Sequence, residues 1–260
     1  MGKMFGTDGV RGIANTELTA QVAFDIGRSA AYVLGKRSKR PVFVIGMDTR
    51  ISGDMLENAL TAGILSIGGN VLKLGVIPTP AVAYLVKYFK ADAGVVISAS
   101  HNPFEYNGIK FFNSDGFKLD DNIEGEIEDV IFNGIREEKV LIGGDIGRCL
   151  DAEEDAIKIY TDFLLSTIDI RLDGLNVVLD CANGASYRTA KIVFESLGAN
   201  LTILSDEPNG VNINENCGST HTKNIQKKVV EVSADIGLSF DGDAGRLTVI
   251  DDKGRNVDVD

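Results

Sequence analysis

Short apolar runs that read as buried strands alternate with amphipathic helical stretches, and this alternation restricts the chain more than any other feature. Thr19 is placed to cap the helix AQVAFDIGRSAAYVLG, whose apolar residues recur at helical spacing and which stops at Gly35. Residues 41–46 (PVFVIG) read as a strand. Ser52-Gly53 opens a helix that ends before Ile67-Gly68-Gly69, and residues 70–74 form the next strand. Thr79 with Pro80 behind it supplies an N-cap and an N1 proline for a helix through Tyr88, and residues 94–97 (GVVI) follow as another buried strand. Strand and helix in turn argue an α/β fold.

The pattern then returns. Residues 197–204 (LGANLTIL) echo 67–74 (IGGNVLKL), and 234–240 (ADIGLSF) repeat 91–97 (ADAGVVI) in the same order, after the strand NVVLD at 176–180. The expectation is a duplicated unit: two similar three-layer α/β/α domains with mixed, mostly parallel sheets. The boundary falls between the glycine-rich residues 143–147 and the acidic helix opening at Asp151, giving domains 1–150 and 151–255, with 256–260 beginning a third. A chain of 260 residues, 44% hydrophobic against 25% charged, can bury two cores.

Composition removes several functions. A net charge of −12 disfavours nucleic acid or an anionic membrane as partner, so an anionic substrate must meet a local basic cluster or a metal. Cys149, Cys181 and Cys217 have neither disulfide nor zinc spacing. The chain offers no membrane-length apolar run and no secretory leader at MGKMFGTDGVRG, which gives the expectation of a soluble cytoplasmic protein.

If the echo is real, the loops after the equivalent strands face one cleft, because ligands of α/β sheets gather beyond the carboxyl ends of the strands. After the first comes Ser98-Ala-Ser-His-Asn-Pro103, and after the second Asp241-Gly-Asp-Ala-Gly-Arg246. Ser100 either closes an ST-turn capped by His101 or presents its hydroxyl among backbone N–H groups that favour phosphate. Asp241 and Asp243 are hard oxygen donors suited to Mg²⁺, although aspartates in glycine-rich turns are common. No G-x-S-x-G, Walker A or post-strand G-x-G-x-x-G occurs, and Arg246 occupies the position where an EF-hand needs glycine. Taken together, the loops offer an acceptor oxygen, charge neutralisation and cations, the parts of phosphoryl transfer. Phe5-Gly-Thr-Asp-Gly-Val-Arg11-Gly12 is either a turn into the first strand or a mount for Arg11 as a phosphate fork. Lys110 follows the serine loop. His221 reads as a loop histidine, and Arg50 and Lys118 as surface charges.

These three motifs, in this order across essentially the whole chain, resemble the α-D-phosphohexomutase family. The resemblance implies that Ser100 carries a phosphoryl group, that Asp241 and Asp243 hold Mg²⁺ with the phosphoserine oxygen, and that Arg11, His101, Lys110 and Arg246 surround the transferring phosphate, with Lys110 or His101 assisting proton transfer. The implied substrate is a phosphosugar, converted between 6- and 1-phosphates through a 1,6-bisphosphate. The opening motif favours glucosamine phosphate over mannose or glucose phosphates, and a non-catalytic phosphosugar-binding module is the alternative of another class. The family has a third aspartate where this chain has Gly245, and four domains, so the chain corresponds to an amino-terminal half expected to turn over poorly without its carboxy-terminal domains. A homodimer is compatible with this reading.

Overall fold

A computed structural model describes residues 4–6, 9–36, 38–135 and 140–257. Strands β1 (Val10–Ile13), β2 (Val42–Met47), β3 (Asn70–Val76), β4 (Ala93–Ile97), β5 (Tyr106–Asn113) and β6 (Cys149–Asp151) form one sheet in the order β1-β5-β4-β2-β3-β6. β2 is central and pairs in parallel with β3 and β4, and β3 with β6; β5 returns antiparallel between β4 and β1. Because side chains alternate along a strand, Phe43 and Ile45 face α1 (Ala20–Gly35), α2 (Ser52–Ser66) and α4 (Asp121–Asn133), while Val44 faces α3 (Thr79–Tyr88) and α5 (Glu153–Ser166). Each fully buried side chain of this size contributes about 1.5–3 kcal/mol. Helices α1 and α2 touch backbone to side at two glycines: a Cβ on Gly27 would lie 2.3 Å from the Leu60 carbonyl oxygen, and one on Gly63 2.2 Å from that of Phe24.

Strands β7 (Asn176–Asp180), β8 (Asn200–Leu204), β9 (Ile236–Phe240), β10 (Leu247–Ile250) and β11 (Asn256–Val257) form the second sheet, ordered β11-β10-β9-β7-β8. β7 pairs in parallel with β8 and β9, and β10 and β11 add antiparallel. Val177 and Leu179 pack with α6 (Thr189–Ser196), and Val178 with α7 (Lys223–Glu231). The sequence echo is therefore topological: β7-β8-β9 repeats β2-β3-β4, a central strand with its two successors on opposite sides. Chain direction outward from β2 and from β7 reverses at that strand, which opens a crevice beyond its carboxyl end in each domain.

Three expectations meet different facts. β6 straddles the boundary expected at 150/151, and α5 beyond it buries Ala156, Ile157 and Tyr160 in a cluster on the first sheet. Asn256 and Val257, expected to begin a further domain, pair with Ile250 and Val249 of the second sheet, and 258–260 lie outside the described residues. Thr19 caps α1, accepting from the Val22 N–H at 3.2 Å, but Thr79 is itself the first residue of α3, with Pro78 at the cap, and its hydroxyl serves another partner. Among the described residues no helix is long and apolar enough to cross a membrane.

Candidate active site

The buried strand β4 ends at Ile97, and Ser98 turns the chain. Ser98 Oγ accepts from the Ser100 N–H at 2.9 Å and donates to Asp48 Oδ2 at 2.5 Å. The ST-turn is thus made by Ser98, which leaves the Ser100 hydroxyl free for other work. Ser100 adopts the left-handed region at φ 54°, uncommon for a residue with a Cβ. That conformation aims its Oγ out of the first domain, where it donates to Asp241 Oδ2 at 2.7 Å.

Asp241 follows β9 and is 1% exposed. Its Oδ1 accepts from the Arg246 N–H at 2.9 Å, and its Oδ2 lies 3.2 Å from Arg246 Nε. Arg246 Nη2 also reaches Ser100 Oγ at 3.1 Å and contacts His101 Nδ1. Burial, with the charge of Arg246 next, pushes the His101 imidazole below its ordinary pKa. Asp243 accepts the Thr79 hydroxyl at 2.8 Å; burial and then the neighbouring charge of Asp241 push its carboxyl up. Two adjacent carboxylates, one of them paired with Arg246, constitute a hard-oxygen set, which fits a divalent cation beside the Ser100 oxygen. The set is small, since no group of three or more His, Cys, Asp or Glu side chains able to hold a metal occurs among the described residues.

A cavity of about 580 Å³ opens over these groups and is lined by Arg11, Ser100, His101, Lys110, Asp243 and Arg246. Arg11 projects from β1 opposite Gly108, after a turn in which Gly6 and Gly9 pair; Thr7 and Asp8 of that motif lie outside the described residues. Lys110 sits on β5 opposite Val96, with Nζ 5.4 Å from the Phe112 ring centre. Every site residue read from the sequence is therefore at this one junction. His221 is exposed, in a loop, and bonded to Thr220. Arg50, read as a surface charge, is 3% exposed: it pairs with Asp48 at 3.0 Å and donates to the carbonyls of Ser100, Asn102 and Pro103. Lys118 is half-buried between Asp121 and Glu124, outside the cavity.

A serine loop and an acidic loop, brought together from the crevices of two duplicated α/β domains, define the phosphohexomutase class of architecture. Two family models match: "Phosphoglucomutase/phosphomannomutase, alpha/beta/alpha domain I" over residues 2–145 and domain II over residues 158–254. The chain belongs to the phosphoglucomutase/phosphomannomutase family. It is 56% identical over 260 residues to a phosphoglucosamine mutase of Clostridium kluyveri and 54% identical over 261 residues to one of Acetivibrio thermocellus, in both cases covering all of this chain and 58% of the relative. The chain thus spans little more than half the length of these relatives. A crystal structure of a phosphoglucomutase/phosphomannomutase family protein from Burkholderia thailandensis superposes with a TM-score of 0.83 at 27% identity, over 98% of this chain and 56% of that one.

Proposed function

We propose that this chain carries a phosphoryl-transfer domain, built on the first sheet and covered by α5, and a metal-binding domain, built on the second sheet through Val257, of a phosphoglucosamine mutase. The carrying observation is the Ser100 hydroxyl, held 2.7 Å from Asp241 across the domain junction on the wall of a cavity bearing Arg11, Lys110 and Arg246. Relatives named for glucosamine at 54–56% identity support that sugar.

In the proposed reaction the 1-hydroxyl of glucosamine 6-phosphate attacks phosphorylated Ser100. The new P–O bond forms as the bond to Ser100 Oγ breaks, and the proton given up by the sugar hydroxyl ends on Ser100 Oγ. The 1,6-bisphosphate turns round, Ser100 Oγ attacks the 6-phosphoryl group as its bond to the sugar 6-oxygen breaks, that oxygen takes the serine's proton, and glucosamine 1-phosphate leaves. Lys110 or His101, both on the cavity wall, is the group that relays these protons in this proposal. Arg246 has only donors, so its contact makes His101 Nδ1 the acceptor and leaves the proton on Nε2; His101 then offers an N–H to a phosphate oxygen. Arg11 and Lys110 bring fixed positive charge to the same cavity. Mg²⁺, held by Asp241, Asp243 and the Ser100 oxygen, would supply the remaining neutralisation of the phosphoryl charge.

Incubation with glucose 1,6-bisphosphate and magnesium, followed by peptide mapping, tests this. One phosphoryl group on Ser100 is expected, absent from Ser100→Ala. Label on Ser98, or no label, overturns the assignment. Gly245, which leaves the acidic loop with two carboxylates, favours a second reading in which the chain binds phosphosugar without transfer; saturable binding with an unlabelled serine supports it.

A further inference from the structure

The two carbonyls that flank the serine turn are gripped from both domains. From the first, Arg50 Nη2 donates to Ser100 O at 3.0 Å and to Asn102 O at 2.9 Å. From the second, Asn214 Nδ2 donates to the same two oxygens, at 3.0 and 3.1 Å. Asn214 is 6% exposed, and its own N–H donates to Ala182 O at 2.9 Å, which fixes it to the loop after β7. Gly242 packs beneath the grip; a Cβ there would lie 2.7 Å from Ser100 O and 2.8 Å from Asn214 Nδ2.

We infer that Asn214 is a positioning residue that couples the seating of the metal-binding domain to the presentation of the Ser100 hydroxyl. The inference rests on the phosphoryl-transfer reading for its catalytic meaning. A left-handed serine is strained and persists only where its surroundings over-determine it. Within the first domain, Ser98 Oγ holds the Ser100 N–H and Arg50 holds the loop carbonyls. The Asn214 amide adds the bonds that exist only when the second domain is in place, the same arrangement in which Ser100 Oγ meets Asp241. Asn214 itself sits at φ 58°, a conformation asparagine and aspartate tolerate, and its Oδ1 is buried without a partner, so the amide's donor side carries its interactions with the loop.

Asn214→Asp keeps the shape and the backbone tolerance and replaces two donations by a carboxylate facing two carbonyls. Two readouts separate this inference from the functional reading. Hydrogen exchange of the intact chain is expected to rise at least about tenfold at residues 98–103 in the variant, with β2 and β7 protected as before. Label transfer from glucose 1,6-bisphosphate to Ser100 is expected to slow about tenfold or more, in the first-order rate constant rather than in the concentration for half-saturation. Asn214→Gly, which removes the side chain but not the backbone freedom, is expected to shift both readouts in the same direction by less. If the wild type takes no label, the transfer reading fails while exchange still judges the coupling. Unchanged exchange at 98–103 in folded Asn214→Asp overturns the inference, as does a labelled wild type whose rate the substitution leaves alone.

Discussion

Both domains end their central parallel strand on a buried aspartate, and they satisfy it in opposite ways. Asp48, just after β2, faces a guanidinium: Arg50 Nε lies 3.0 Å from its Oδ2, with both side chains essentially unexposed. Asp180, the last residue of β7, is 0% exposed and faces neutral donors, the N–H groups of Ala182 at 3.0 Å and Gly218 at 2.8 Å. One topological place thus serves two purposes. In the first domain the aspartate orients a cation whose remaining N–H groups strap the serine loop. In the second it folds two loops, one of which carries Asn214's anchor at Ala182. The repeated topology gives both domains the crevice, and the partner given to the carboxylate sets which loops it holds there.

Breaking the charged version has the largest expected effect. Arg50→Met leaves Asp48 buried without its cation, which costs about 3–5 kcal/mol. Urea unfolding should show that loss, and native-state hydrogen exchange should place it in the first sheet. The double variant Asp48→Asn/Arg50→Met removes both charges and should recover part of the loss, because the penalty belongs to the orphaned carboxylate. Additive losses in the double-mutant cycle would mean that the pair does not act as a unit.

Breaking the neutral version should cost less. Asp180→Asn turns one oxygen into an NH₂ group that must confront a backbone N–H, a loss of about 1–3 kcal/mol. Its pH dependence carries a sign. Burial pushes the Asp180 carboxyl above its ordinary range, only partly offset by the N–H groups of Gly218 and Ala182. The folded protein therefore binds that proton more tightly than the unfolded chain, and its stability falls as pH rises from the unfolded value of about 3.9 through the raised folded one. Lowering the pH through that window should stabilise wild type relative to Asp180→Asn, so the gap between them in urea midpoints should widen toward acid. A gap that narrows toward acid would show that Asp180 is better satisfied charged than neutral.

Much of this frame is legible in the sequence because periodicity reports which residues are apolar together. Residues 20–35 show a 3.6-residue stripe, and the echo of 91–97 in 234–240 marks equivalent strands, so the order of residues alone locates both functional loops. What periodicity does not report is a polar side chain that turns inward. Arg50 stands in the polar run Asp48-Thr-Arg, which reads as a surface loop; its one signal is its place directly beyond a buried strand, where the crevice lies. Thr79 fits the pattern of a helix cap so well that its actual bond to Asp243, made across the domain junction, leaves no local trace. Asn214 lies in an asparagine-rich segment that looks like an ordinary turn.

The smallest effect is expected where the acidic loop has slack that the serine loop lacks. The serine loop is held through Ser98, Arg50 and Asn214, whereas past Asp243 the acidic loop is exposed at Gly245, whose N–H reaches Asp243 Oδ1 at only 3.3 Å. A Cβ at position 245 would lie 3.2 Å from Asp243 Oδ1, and the backbone there is outside the left-handed range, so a side chain can be added at the cost of a small local shift. Aspartate at 245 would bring a third carboxylate beside the pair. Without metal it adds repulsion to the Asp241–Asp243 pair, so Gly245→Asp should lower the melting temperature slightly in chelator. With magnesium the sign reverses, because the added charge attracts the cation and the gain in stability grows with the ratio of free metal to dissociation constant. An affinity gain of about tenfold, worth ~1.4 kcal/mol, is expected from one further close carboxylate. Calorimetric titration of both proteins with MgCl₂ measures it directly, and the two melting curves should cross as magnesium is raised. Equal affinities would mean that position 245 does not face the cation, and that the acidic loop binds through Asp241 and Asp243 alone.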